Sequence, residues 1–414
     1  MINHLKFWKS SSAVFVVVNI LVAFTGFLRS FIFIKFLNLE QLGAITMVNT
    51  VAASLSLFQF GLINGGYRII ALGKKEEIEK TNNLIFSFIS VISILLFIIA
   101  LIFQNYGMFQ SKVILFISVI IGILMLVNNW VTNFLIGSRD LRRLNIANIV
   151  SVCLSLFSLL TIYIDNFYGA LFSLLVQPLA FLLISFSKKI KVTKFYLDIN
   201  YFKYILSFGF VPFLAGIFFL LYSQVERWTI SSYLGNEDLG KLYLFYLVIS
   251  LSVLIPTSVS SLFFPGTIKS YNDGNLKIFN ASIKKNFIIL IGYAILLCIF
   301  LLFVFKHLIS LIFPFHLNFL EYVYYAIPGI VFRILADPFS LYFNAKVKLK
   351  AIFLSDIGGI SLYVFLILGG LQFMKLDLFY FIICFNLYFL CKLIILVVNF
   401  LLDKRKGKDS YEIY

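Results

Sequence analysis

The 414-residue chain is 61% hydrophobic and 13% charged, with a formal net charge of +16. Soluble domains run to about 25% charged residues, so a soluble globular protein is excluded. Apolar segments of about 20 residues recur along the whole length and predict an all-α polytopic membrane protein; a β-barrel would show short alternating segments instead.

The first apolar run, Ser11 to Leu37, is too long for a signal-peptide core and lacks a small-residue cleavage site after it, so it reads as a retained first helix. The spans after it are expected at 42–66, 83–104, 112–136, 146–164, 167–187, 207–232, 240–264, 286–306, 322–345, 352–372 and 376–401, twelve in all. The N-terminus and the segments after even-numbered spans hold 25 of the 34 lysines and arginines, and the segments after odd-numbered spans hold five. The positive-inside rule then places both termini in the cytoplasm and explains the net charge as an orientation signal, not a nucleic-acid footprint. The remaining four basic residues, Arg29, Arg227, Arg333 and Lys392, fall inside spans.

Two short stretches repeat at an offset of almost half the chain: FLNLEQLG at Phe36–Gly43 and YLGNEDLG at Tyr233–Gly240. Each follows a long span with an arginine six or seven residues upstream and leads into another apolar helix. Six spans per copy give both copies one orientation, related by a pseudo-two-fold axis along the membrane normal. The expected organisation is a lobe at 1–195, a second lobe at 196–401 and a basic cytoplasmic tail at 402–414, with a V-shaped central cavity. No loop is long enough to form a further domain. A GxxxxGK[ST] phosphate loop does not occur, and no set of carboxylates or histidines marks a catalytic site, so neither ATP as the direct drive nor an enzyme is expected. Cys153, Cys298, Cys384 and Cys391 lie in apolar runs and read as small buried hydrophobes. With His4, His307 and His316 scattered, no metal or other cofactor is implied.

The run from LRSFIFIKFLNLEQLGAITMVNT into FGLINGGYRIIA, and the later FGFVPFLAGIFFLLYSQVERWTISSYLGNEDLGKLYL, resemble the bacterial O-antigen and polysaccharide flippases of the multidrug/oligosaccharidyl-lipid/polysaccharide exporter superfamily. The features that match are Gly43, the glycine-rich Phe60–Gly66, the Glu226-Arg227 pair, and Gly235 with Gly240; glutamate stands where that family more often has aspartate. The resemblance covers essentially the whole chain. It implies a monomeric transporter of the bacterial inner membrane that moves an undecaprenyl-pyrophosphate-linked oligosaccharide to the outer leaflet by alternating access. Polymerase and chain-length components of the same pathway are candidate partners besides membrane lipids. Coupling to protons or sodium is left open.

A charge at the bilayer centre costs about 2.5–3.5 kcal/mol on insertion scales, so intramembrane cations face a cavity or pair with an acid. Arg29, Arg227, Arg333 and Lys392 are candidates for gripping a pyrophosphate or an anionic sugar. Each has a bland alternative. Arg29, about 12 Å deep at 1.5 Å per residue, and Lys392 can snorkel. Arg227 can pair with another helix. Arg333 can be neutralised by Asp337, one turn on. Glu226 and its neighbour Arg227 point about 100° apart, which makes Glu226 a structural partner or a coupling group; Asp337 is read likewise. Asp356 is expected as an interfacial cap. Asn128, Asn129 and Asn133 are expected to bind sugar or to join helices. The competing function is a cation-coupled multidrug exporter of the same fold, whose cavity would be anionic. A membrane glycan polymerase would need catalytic groups in a long outer loop and ranks last.

Overall fold

The computed structural model describes residues 11–72, 75–104, 112–186, 190, 193–312, 314–346, 348–373 and 376–409. The basic residues Lys6, Lys9, Lys74, Lys188, Lys189, Lys191 and Lys375, together with His4 and the tail beyond 409, lie outside them. Every regular element among the described residues is helical: α1 (Ser11–Phe36), α2 (Leu39–Leu55), α3 (Leu62–Leu72), α4 (Lys75–Phe103), α5 (Lys112–Gly137), α6 (Leu141–Ser158), α7 (Asn166–Ser185), α8 (Ile199–Tyr233), α9 (Asn236–Lys241), α10 (Tyr243–Asn272), α11 (Leu276–Ile299), α12 (Phe305–Ile312), α13 (Leu320–Ala345), α14 (Leu349–Phe373) and α15 (Leu378–Asp409).

Eleven helical stretches among the described residues are long and apolar enough to cross a membrane, and α8 adds a 35-residue helix. In lipid a helix is the one open-ended structure that satisfies every backbone group internally. Side chains such as Phe157, Leu183, Leu296, Phe303 and Phe365 are more than 65% exposed, a surface that only an apolar solvent tolerates. The chain is a multi-pass membrane protein.

Two compact units divide the chain, Met1–Leu220 and Leu221–Tyr414, with the boundary inside α8. In the first, α2, α3, α4 and α7 pack on α5, while α6 packs on α1 and α7. Its core centres on Trp130, fully buried, whose indole N–H donates to Asn82 Oδ1 at 3.0 Å. In the second, α13 packs on α10, α11 and α15, and α14 packs on α15.

The second expected span, 42–66, proves to be broken. After α2 comes a 3-10 turn, Ser56–Gln59; Phe60 (φ 48°) and Gly61 (φ 90°) then take left-handed backbone, and α3 restarts at Leu62. Glycine-mediated contact explains the break. A Cβ at Gly65 would lie 2.1 Å from the Ile205 carbonyl oxygen, and one at Gly209 would lie 1.9 Å from that of Gly61. The break therefore lets α3 pack backbone to backbone against the early part of α8, as small residues allow between membrane helices.

The repeated stretches fold alike. α1 and α8 each end at the first residue of the repeat, two residues follow, and α2 and α9 begin. Leu42 and Leu239, four positions into the new helices, are both fully buried. The caps differ. Asn38 Oδ1 accepts from the Gln41 N–H at 2.9 Å, and Gln41 Oε1 accepts from the Asn38 N–H at 3.1 Å, a reciprocal capping box. Gly235 at the matching position uses φ 93° instead. Asn38→Ala is expected to destabilise the chain by about 1 kcal/mol, read as a lower thermal midpoint in detergent; an unchanged midpoint would show that the cap is dispensable.

Candidate functional site

In the first unit, α1, α2, α5, α6 and α7 enclose a cavity of about 360 Å³. Arg29 from α1 enters it, and its Nη1 donates to Gln177 Oε1 of α7 at 2.8 Å. Asn49 of α2, Asn128 and Thr132 of α5, and Asn148 and Ser151 of α6 add amides and hydroxyls, and Ile121, Met125, Leu174, Pro178 and Phe181 form the apolar part of the lining. Asn128 also joins helices: its Nδ2 donates to the Pro178 carbonyl at 2.8 Å, leaving its buried Oδ1 without a hydrogen-bond partner. Asn129 and Asn133 are spent on each other, since Asn133 Nδ2 donates to the carbonyl and to Oδ1 of Asn129 at 2.8 and 2.9 Å. Of the three asparagines, only Asn128 lines this cavity.

In the second unit, α8 carries the Glu226-Arg227 pair. Glu226 is 2% exposed. It accepts a hydrogen bond from the Tyr222 hydroxyl at 3.2 Å, one turn earlier. Tyr222 stacks on Tyr388 of α15, with centroids 4.0 Å apart and an interplanar angle of 13°, and meets Tyr363 of α14 edge-on at 5.0 Å. Glu226 is thus buried beside a tyrosine that packs into an aromatic cluster. Arg227 reaches α10, its guanidinium 4.6 Å from the centroid of Tyr246, a tyrosine that lies close to Glu226 as well. That contact lets the ring quadrupole share the charge, while Arg227 Nε has no hydrogen-bond partner.

Arg333 on α13 lies over Phe389 of α15, 5.4 Å from the ring centroid. Asp337, one turn on, lines a second cavity of about 320 Å³ with Thr257, Ser260, Ser340 and Asn344. Lys392 on α15 forms a buried ion pair with Asp356 on α14. Both expectations for this pair need correction. α14 begins at Leu349, so Asp356 lies two turns inside the helix. At 3% exposure it is no interfacial cap. Lys392 reaches this carboxylate and does not snorkel.

The structure thus keeps Arg29 in the first unit and places Arg227, Arg333 and Lys392 in the second. Gln177, Asn49, Asn148 and Ser151, together with the tyrosines around Glu226, went unrecognised in the sequence. They are neutral polar residues spread over several helices, and no local pattern distinguishes them from helix-joining residues. Among the described residues no group of three or more His, Cys, Asp or Glu side chains could hold a metal ion.

No protein-family model matches the chain, and no curated protein sequence matches it. Solved structures do. A multidrug resistance MATE family transporter of the MOP superfamily, in an inward-facing conformation, superposes with a TM-score of 0.73 at 13% identity, over 98% of this chain and 99% of that one. The lipid II flippase MurJ, in an inward closed conformation, gives 0.71 at 16% identity, over 93% and 87%. A further MATE structure, in a bent conformation, gives 0.60 at 15% identity over 98% and 97%. The chain shares its fold with these MATE and MurJ structures. These neighbours include both a lipid flippase and a multidrug resistance transporter.

Proposed function

We propose that the chain flips an undecaprenyl-pyrophosphate-linked oligosaccharide, an O-antigen or other surface-polysaccharide repeat unit, from the cytoplasmic to the outer leaflet of a bacterial inner membrane by alternating access. The Arg29 cavity carries this reading. Its one cation and its amide and hydroxyl lining suit a ligand that is hydroxyl-rich and locally anionic, because Arg supplies charge-assisted bonds and the amides both donate and accept. A hydrophobic drug cation would leave these groups unpaired at a cost of about 1–3 kcal/mol each. Arg227, resting on Tyr246 with its Nε without a hydrogen-bond partner, offers a guanidinium donor to an anionic headgroup or sugar, and Arg333 is a further candidate. Lys392 reaches cargo only when Asp356 releases it. Both termini are placed in the cytoplasm by the distribution of basic residues, and the chain is read as a monomer that delivers to polymerase and chain-length components.

The test is leaflet transfer of a labelled polyprenyl-pyrophosphate glycan in vesicles that hold the chain in one orientation. Arg29→Ala is expected to slow transfer by about tenfold or more, the worth of one charge-assisted hydrogen bond. Arg227→Ala should abolish surface glycan while the protein still reaches the membrane. Normal transfer by Arg29→Ala at normal protein level would remove the cavity from the cargo path.

A second reading, a cation-coupled multidrug exporter, is supported by the exporters that share the fold and by the buried carboxylate Glu226 together with Asp337, which lines a polar cavity. It predicts altered dye resistance on deletion with surface glycan intact, and transport that loses its proton or sodium dependence in Glu226→Gln.

A further inference from the structure

At the end of the second unit where α11 begins and α13 and α15 finish, a groove of about 320 Å³ opens on the outer surface. Its floor is a row of aromatic rings, one from each helix. Phe287 and Phe339 meet edge-on at 5.8 Å, and Phe339 and Phe400 at 5.3 Å. Lys284 and Lys404 stand at its rim beside Asn280. Lys404 Nζ lies 4.7 Å from the Phe400 centroid, so this cation is drawn over the floor.

The carboxylate next to Lys404 in sequence is committed elsewhere. Asp403 accepts from the Tyr342 hydroxyl at 2.7 Å and from Lys346 at 2.8 Å, and it also pairs with Lys348. Among the described residues no carboxylate forms an ion pair with Lys284 or Lys404. The groove therefore combines two uncompensated cations with an apolar bed. Ile288 on α11 and Leu402 on α15, 57% and 52% exposed, mark the neighbouring surface as facing hydrocarbon. A soluble anion would use the cations and waste the aromatic floor. An uncharged acyl chain would use the floor and leave the cations idle. An anionic phospholipid uses both.

We propose that this groove binds one anionic glycerophospholipid, with its phosphodiester bridged by Lys284 and Lys404, its glycerol region beside the Asn280 amide, and one acyl chain laid along Phe287, Phe339 and Phe400. The site is separate from the cargo cavity and makes a membrane lipid a fixed part of the second unit. It differs from the general positive charge of this end because a pocket, not a surface, selects the ligand.

Native mass spectrometry of the full chain, with phosphatidylglycerol or phosphatidylcholine titrated into the detergent, tests it. The expected result is one phosphatidylglycerol retained in preference to phosphatidylcholine. Each lysine near a membrane surface is worth about 1 kcal/mol toward an anionic lipid, about fivefold in affinity, so Lys284→Ala with Lys404→Ala should weaken retention by at least about tenfold. Lys277→Ala with Lys285→Ala removes the same charge outside the groove, from exposed positions on the same helix, and should leave retention unchanged. Ile283→Trp fills the groove while leaving every charge, and should also release the lipid. Equal retention of the two lipids, equal loss in both double variants, retention unaffected by Ile283→Trp, or displacement by glycerophosphate alone would each overturn the proposal.

Discussion

Asp356→Ala is expected to destabilise the chain by about 3–5 kcal/mol, the cost of leaving one member of a buried ion pair uncompensated. The side chains of Asp356 and Lys392 are 4% and 14% exposed, so solvent does little to screen the orphaned ammonium. Lys392→Ala should cost a similar amount by orphaning the carboxylate. The double change Asp356→Leu with Lys392→Met removes both charges at similar volume and should recover most of the loss, because well-packed apolar groups often match or exceed a buried pair. With Cys153, Cys298 and Cys391 replaced by alanine, reaction of the buried Cys384 thiol with a maleimide dye during heating in detergent reports the unfolding midpoint. The same cycle decides the role of Lys392. If it grips cargo, the double variant is stable and inactive in flipping; if it serves only the pair, the double variant is stable and active. Near-equal stability of all four proteins would show the ion pair to be energetically idle.

Gly209→Ala is expected to cost about 1–3 kcal/mol, the range for overpacking a filled site, and to sit at the upper end. Its Cβ would lie 1.9 Å from the Gly61 carbonyl oxygen and 2.5 Å from the Gly65 amide nitrogen. Both obstacles are backbone, so no rotamer change relieves them. The left-handed Phe60 and Gly61 at the turn leave little room for the α3 start to retreat. Gly26→Ala in α1 and Gly292→Ala in α11 are the controls. Neither Cβ meets any atom within 4 Å, so both should be neutral or stabilising by up to about 1 kcal/mol through helix propensity. A thermal midpoint for Gly209→Ala equal to those of the controls would mean that α3 and α8 do not need backbone contact. Because the contact anchors the first unit's part of α8, the helix that continues into Glu226 and Arg227, loss of transport is expected to accompany loss of stability.

Much of the fold is legible in the sequence. Run length and the alternation of basic residues marked apolar helices in chain order, and the repeat marked two helix junctions that fold alike. Its weakest element was the second span. A hydropathy window averages over Ser56–Gly61 and cannot register two residues of left-handed backbone. The site divided similarly. Arg29, Arg227 and Glu226 stood out because charge is rare in hydrocarbon. Gln177, Asn148 and Ser151 did not, since uncharged polar residues cost too little in a helix to require a partner or a purpose. Asp356 was misplaced because a start at 352 puts it in the first turn, whereas the true start at Leu349 carries it inward.

By itself, then, the sequence determined a multi-pass helical membrane protein with charges in its helices, since lipid offers the backbone no hydrogen bonds and makes each charge conspicuous. Only the tertiary structure decided the partners. It set Glu226 against Tyr222, Arg227 against Tyr246, Lys392 against Asp356 and Arg29 against Gln177. Apart from Tyr222, one turn away on the same helix, these partners lie on other helices. Which of them meet depends on the rotation and axial offset of one helix against the next, and those are set by the packing of many side chains at once.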